Sequence, residues 1–176
     1  MKARIRPESP DDCAAIAAIV AAAFHGKPYA AGDEAALVDA LRVAGSLTVS
    51  LVAERDGALV GQVALSPAMP ADGTLGWYAL GPVSVLPEHQ GGGIGAALVE
   101  AGLRALVALG AAGCILTGDP AYYVRFGFEL APANAPPGEP AEFFMVKRLG
   151  EKGAAAPMPA GPIAFHPAFH SADHAD

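Results

Sequence analysis

A chain of 176 residues that is 53% hydrophobic is long enough for one ordinary domain with a full core and short for two. Its formal charge of -7 argues against gripping nucleic acid or an anionic membrane through a general electrostatic field, and leaves room for a small or cationic partner. The two cysteines, Cys13 and Cys114, lie far apart with no Cys-x-x-Cys pair, which argues against a disulfide framework and a zinc knuckle and in favour of reduced, buried thiols.

Residues 3–9, ARIRPES, predict a short strand. Ser9-Pro10-Asp11-Asp12 then opens a helix over residues 10–24 in the order cap, proline, first-turn acids, with Ile16, Ile19, Val20 and Phe24 at helical spacing. Because Glu8, Asp11 and Asp12 separate the basic Lys2, Arg4 and Arg6 from the apolar run, this reads as a helix of a cytoplasmic protein rather than an export signal. Residues 33–45, DEAALVDALRVAG, predict a second helix with Leu37, Val38 and Leu41 on one face and Gly45 as its stop. The period then changes. Residues 46–67 predict a hairpin turning at Arg55-Asp56-Gly57, and after a Pro- and Gly-rich loop over 66–76 the run WYALGPVSVLP predicts another strand. A helix over 93–109 follows, with Glu100 and Arg104 paired one turn apart. Then come a short buried strand, GCILTG, one or two helical turns over 120–126, and the extended segments GFEL, EFFMVKRL and GPIAFHPAF. No stretch reaches the roughly 18 apolar residues of a membrane span. The order predicts a mixed sheet with helices packed on it, centred on one strand-helix-strand unit over 83–118.

The stretch PEHQGGGIGAAL, residues 87–98, is where chemistry enters. A glycine-rich turn opening a helix offers free backbone N–H groups, no side chain to block close approach, and the positive end of the helix dipole, which together make an anion site. A tight turn that binds nothing needs one or two glycines; Gly91, Gly92, Gly93 and Gly95 exceed that. The ATPase loop is excluded because Gly95 is followed by Ala96-Ala97 rather than Lys-Ser/Thr. The dinucleotide fingerprint fits Gly91, Gly93 and Ala96 only loosely, since PEHQ separates the strand from the first glycine and too little chain follows for a doubly wound sheet.

Gln90-Gly91-Gly92-Gly93-Ile94-Gly95 instead resembles the Gln/Arg-x-x-Gly-x-Gly/Ala signature of the GNAT superfamily of N-acetyltransferases. Downstream, YYVRFGF resembles the Tyr-x-x-x-Gly-Phe of that family, here Tyr123, Gly127 and Phe128, and GDPAYYVRFGF with GPIAFHPAF resembles its bacterial YhbS-like branch. The resemblance implies an α/β (α+β) fold, a mixed and mostly antiparallel sheet of six to seven strands with helices on both faces. Residues 1–148 would form the acetyltransferase domain, and residues 149–176 an extension with one further extended segment and a polar tail. It implies acetyl-CoA as cosubstrate and no metal. The pyrophosphate of coenzyme A would lie on Gln90, Gly91, Gly92, Gly93, Ile94, Gly95 and Ala96, pantetheine along the strand edge at Val83, Ser84 and Val85, and Tyr123 would serve as the donor to the departing thiolate. A backbone N–H, that of Val85, would polarise the thioester carbonyl.

The acceptor is then a primary amine of a small molecule or peptide, with no nucleic acid and no membrane involved and a homodimer left open. Attack requires a neutral amine, and for a group with pKa near 10.4 only about one molecule in a thousand is neutral near pH 7.4, a cost of about 4 kcal/mol. Glu54, Asp119 and a water chain are the candidates for removing the proton. Two other functions compete: an acyl-CoA sensor of the same fold without turnover, and an NAD(P)-binding oxidoreductase. His166, His170 and His174 stand four residues apart, but Pro167 within the run makes an extended segment the better reading than a metal-binding helix. His89 reads as a solvated loop histidine. Trp77 and Tyr78, at a strand start, read as packing residues.

Overall fold

The computed structural model describes residues 2–150 and 157–174, and the side chains of these through residue 170. Its strands are β1 (Arg4–Pro7), β2 (Val49–Arg55), β3 (Ala58–Pro67), β4 (Met69–Pro70), β5 (Trp77–Val85), β6 (Gly113–Thr117), β7 (Glu129–Leu130), β8 (Phe144–Arg148) and β9 (Ile163–Ala164). The α-helices are α1 (Cys13–Phe24), α2 (Glu34–Val43), α3 (Ile94–Ala108) and the single turn α4 (Pro120–Tyr123). Seven strands hydrogen-bond in the order β1-β2-β3-β5-β6-β8-β7, and β4 pairs separately with β9. The β5–β6 ladder is parallel, while β1–β2, β2–β3, β6–β8 and β7–β8 are antiparallel. A mixed sheet of this order is not the doubly wound parallel sheet that a dinucleotide reading requires. The chain forms two compact units, one of residues up to 65, 81–103 and from 167 onward, the other of 66–80 and 104–166.

In the first unit, local signals set the element ends. Pro10–Asp12 make a 3-10 turn ahead of α1, and the Asp12 carboxylate reaches back to the Ser9 amide at 2.7 Å. Gly45, at φ 67°, ends α2 in a paired cap: its amide donates to Arg42 O at 3.1 Å and that of Ser46 to Leu41 O at 2.9 Å. The β2–β3 turn needs left-handed backbone at both central residues, and Asp56 and Gly57 supply it at φ 52° and 80°.

The even-numbered side of β3 meets α1 and α2, where Ile16, Val20, Val38, Val52 and Ala64 form one apolar cluster. The odd-numbered side meets α3. A Cβ on Gly102 would lie 2.9 Å from Leu65 Cδ1, and one on Gly61 would lie 3.0 Å from Leu98 Cδ1, so two glycines let helix and strand close on each other. The helices therefore cover both faces of β3.

Two ion networks brace this unit. Arg6 binds Asp12 bidentately, at 2.7 and 3.1 Å, and Glu54 at 3.1 Å. Arg42 binds Glu8 at 3.0 Å through two nitrogens, and the Ser50 hydroxyl donates to the same carboxylate. Hydrogen bonds from Arg6, then from the Ser9 amide, hold the Asp12 carboxyl well below the usual carboxylate range against some desolvation. Burial pushes Glu8 up, but Arg42 and Ser50 outweigh it and the net direction is down. A carboxyl whose pKa is lower folded than unfolded contributes stability that is complete above the unfolded value, near 3.9 for Asp, and is lost as pH falls through the folded value. The urea midpoint is accordingly expected to drop between pH 5 and pH 3, and to drop less steeply in Asp12→Asn. Equal slopes in the two proteins would show that Asp12 carries none of the acid sensitivity.

In the second unit β6 is a buried strand. Cys114 is fully buried and its thiol is pushed up by burial, which fits an inert packing residue. Trp77 lies over Gly113, where a Cβ would come within 2.5 Å of the indole, so the tryptophan is a packing residue. Of the last segments, β8 sits between β6 and β7, and β9 joins β4 in register Met69↔Ala164 and Pro70↔Ile163. Asp72 fixes this corner by accepting from the Ala160 amide at 2.8 Å, as does Asn134 by donating to Gly161 O at 2.8 Å.

Two details differ from expectation. The loop over 66–76 contains the short β4, which gains its partner only from the far segment β9. Beyond β9 the chain does not stay extended: Pro167–His174 form 3-10 turns that contact α2, since a proline at the first position suits a turn whose first N–H is unused anyway.

Candidate active site

The loop that joins β5 to α3 is held in place before it presents anything. The Leu86 amide donates to Val60 O at 2.9 Å, anchoring the strand end, and Pro87–His89 fold into a 3-10 turn closed by His89 N to Leu86 O at 2.8 Å. Gln90 turns back, its Nε2 donating to Val85 O at 2.9 Å, so this side chain staples the loop to β5. The glycines then divide by role. Gly91 and Gly93 have φ of 78° and 82°, the left-handed region where a side chain is strained. Gly92 has no such requirement, and a Cβ there would meet only His89 O, at 3.8 Å. Among the described residues the amides of 91–96 find no backbone acceptor, and the first bond into α3 runs from Ala97 N to Gly93 O at 3.0 Å. Ile94 is buried and pins the helix start, whereas Gly91, Gly92 and Gly93 are exposed and Gly95 and Ala96 half-buried. Unpaired amides, an exposed glycine turn and the positive end of a 15-residue helix make a cradle that fits a pyrophosphate.

The end of β5 carries a second set of donors. Since the Leu86 amide faces β3, strand alternation turns the Ser84 amide to β3 as well and the amides of Val83 and Val85 to the opposite edge. The Ser84 side chain is buried and accepts from Gln62 Nε2 at 3.1 Å. Of the three strand residues named from the sequence, Val83 and Val85 thus offer backbone to that edge, and Ser84 is tied inward.

Tyr123 lies in the other unit, on α4. Asp119 caps this turn, its Oδ1 accepting from Ala121 N at 3.0 Å, and Pro120 occupies the first position. The Tyr123 ring is packed edge-on against Tyr122 and Phe128, with centroids at 5.0 and 6.0 Å, and tilted against Phe126 at 6.1 Å. A Cβ on Gly118 would stand 2.5 Å from Tyr123 Cε2, so the ring sits in the space that glycine leaves. Gly127, at φ 87°, ends the next turn, and a Cβ there would collide with Lys147 Nζ, which donates to Phe126 O at 2.6 Å. The adjacent Tyr122 is occupied by Arg125, whose guanidinium lies 4.4 Å above its ring.

Both carboxylates considered for the proton have structural work. Glu54 accepts from Arg6, and Asp119 caps α4. The sequence reading missed Gln62, Gly118 and Lys147. Only Gly118, beside the Asp-Pro that starts a helical turn, had a local signal that could have pointed to it.

Residues 46–130 match the acetyltransferase (GNAT) domain. Over 128 residues, 72% of this chain and 74% of the relative, the sequence is 41% identical to the uncharacterized N-acetyltransferase YhbS of Escherichia coli strain K12. The chain belongs to the GNAT family of acetyltransferases. Among solved structures, a GNAT family acetyltransferase from Brucella melitensis in complex with acetyl-CoA is 44% identical with a TM-score of 0.82, covering 95% of this chain and 97% of that one. The E. coli YhbS structure in complex with CoA is 35% identical with a TM-score of 0.85, covering 97% and 93%. The GNAT fold expected from the two motifs is therefore the fold of this chain, with seven strands in its main sheet among the described residues. Among the described residues no helix is long and apolar enough to cross a membrane, and no group of three His, Cys, Asp or Glu could hold a metal ion.

Proposed function

We propose that this protein transfers the acetyl group of acetyl-CoA to a primary amine of a small molecule or peptide by direct attack, using residues 1–148 as the catalytic domain and 149–176 as an extension. The observation that carries the reading is the row of amides over 91–96 without backbone acceptors at the start of α3. Two of the relatives that resemble the chain over nearly its whole length were crystallised with acetyl-CoA or CoA, which supports the same ligand here.

Acetyl-CoA supplies the activated thioester. Within the protein, the amides of 91–96 take the pyrophosphate, with Gln90 bracing the loop from behind. The Val83 and Val85 amides bind the pantetheine arm and the thioester carbonyl, so that the negative charge developing on oxygen meets fixed donors. Tyr123 donates a hydrogen bond to the sulfur as thiolate character grows. Glu54, Asp119 or a water chain takes the amine proton, with the incoming amine desolvated as it enters. A cytoplasmic setting, in which Cys13 and Cys114 stay as free thiols, goes with this chemistry.

Thermal unfolding in the presence of acetyl-CoA, CoA, ATP and NAD tests the ligand. The midpoint is expected to rise with acetyl-CoA and CoA and to stay put with NAD, because a ligand that binds only the folded state stabilises it by mass action. Stabilisation by NAD without stabilisation by CoA would overturn the reading.

A further inference from the structure

In the middle of β3 stands a glutamine with no exposed surface, Gln62. It shares its face of the sheet with an apolar core: Val52 lies directly opposite on β2, and Ala64 is the next residue on that face of β3. Its Nε2 donates to Pro82 O and to Ser84 Oγ, each at 3.1 Å. The orientation of the amide is fixed by chemistry, since a carbonyl only accepts and the NH2 group must face it. Oε1 is then turned away, and it meets no donor among the described residues. A buried acceptor left unpaired is costly, and a methionine would fill the same space without that cost. Packing alone therefore does not account for a glutamine here.

The reason for a glutamine lies in β5. Pro82 has no amide hydrogen to give the ladder, so this strand has a missing rung near its functional end. Gln62 supplies a side-chain bond to the carbonyl of that same residue and a second to Ser84. Val83 lies between the two anchors, and Val85 follows the second. We infer that Gln62 is a positioning residue for acyl transfer, holding β5 through Pro82 and Ser84 so that the Val83 and Val85 amides stay aimed at the thioester carbonyl. The inference rests on the proposed binding of acetyl-CoA along β5.

Acetyl-CoA and CoA differ at that carbonyl, so their affinities separate positioning from general support. Titration calorimetry of Gln62→Met is expected to show acetyl-CoA weakened about fivefold and CoA changed by less than about twofold, the loss of one hydrogen bond's worth of binding. Ser84→Ala, which removes one anchor without touching β3, is expected to weaken acetyl-CoA by about two- to threefold and leave CoA alone; it decides the matter if Gln62→Met does not fold. A merely supporting side chain would weaken both ligands together or neither. Wild-type binding with an unchanged ratio of the two affinities in the folded variants overturns the inference alone. Wild-type protein that binds neither ligand overturns the acetyl-CoA reading and the inference with it.

Discussion

Tyr123→Phe is expected to leave acetyl-CoA affinity within about twofold of wild type and to lower turnover at least about tenfold. The substitution keeps the ring in its seat, where Gly118 leaves the space and Tyr122, Phe126 and Phe128 pack around it. A phenol with pKa near 10 facing a thiol near 8.5 makes complete proton transfer uphill by about 2 kcal/mol. A hydrogen bond that strengthens as the sulfur becomes a thiolate needs no complete transfer, and bonds to charged groups contribute about 1.5–3 kcal/mol, or tenfold and more in rate. Because the neutral thioester sulfur is a poor acceptor, the ground state loses little, and the loss belongs in kcat rather than in binding. Steady-state kinetics with a saturating amine, alongside calorimetry with acetyl-CoA, reads both quantities. An unchanged kcat would remove Tyr123 from the mechanism.

Gly92→Glu should abolish most of the affinity for acetyl-CoA without unfolding the protein. Gly92 alone of the three consecutive glycines has ordinary backbone and open space where a Cβ would go, so a side chain can be added there without strain. A carboxylate about 6 Å from a pyrophosphate charge near the protein surface repels it by about 2–3 kcal/mol, so the dissociation constant is expected to rise about a hundredfold. Gly92→Ala, which adds bulk without charge, is expected to change it by no more than about threefold. The pair separates electrostatics from shape. If the glutamate bound acetyl-CoA as well as the alanine, the pyrophosphate would have to lie elsewhere than over 91–96.

What the sequence made legible was whatever local chemistry determines. The glycine loop, the Asp56-Gly57 turn and the Gly45 helix stop each depend on backbone angles set within a few residues, and each stands where the residue order predicts it. The two motifs then carried the fold class. Long-range commitments stayed hidden. Glu54 looked free as a base because its partner, Arg6, is 48 positions away. Gln62 looked like one polar residue in a strand because the groups it binds lie 20 and 22 positions on, and proline's missing rung matters only once the strands are paired. The need for glycine at position 127 goes beyond its backbone angle to the Lys147 ammonium, brought there by the pairing of β7 with β8. Asp119 is a different case, since an Asp-Pro at a helical start was readable as a cap and its capping bond spans only two positions.

The most direct test of the account is release of free thiol from acetyl-CoA by the purified protein, measured with and without each member of a panel of primary amines, polyamines, aminoglycoside-type antibiotics and peptides. Acetyl transfer requires release that depends on at least one amine, with the acetyl group recovered on its nitrogen and the rate cut in Tyr123→Phe. Tight acetyl-CoA binding with release that no amine accelerates would contradict it, and would make the protein a holder of acyl-CoA rather than a transferase.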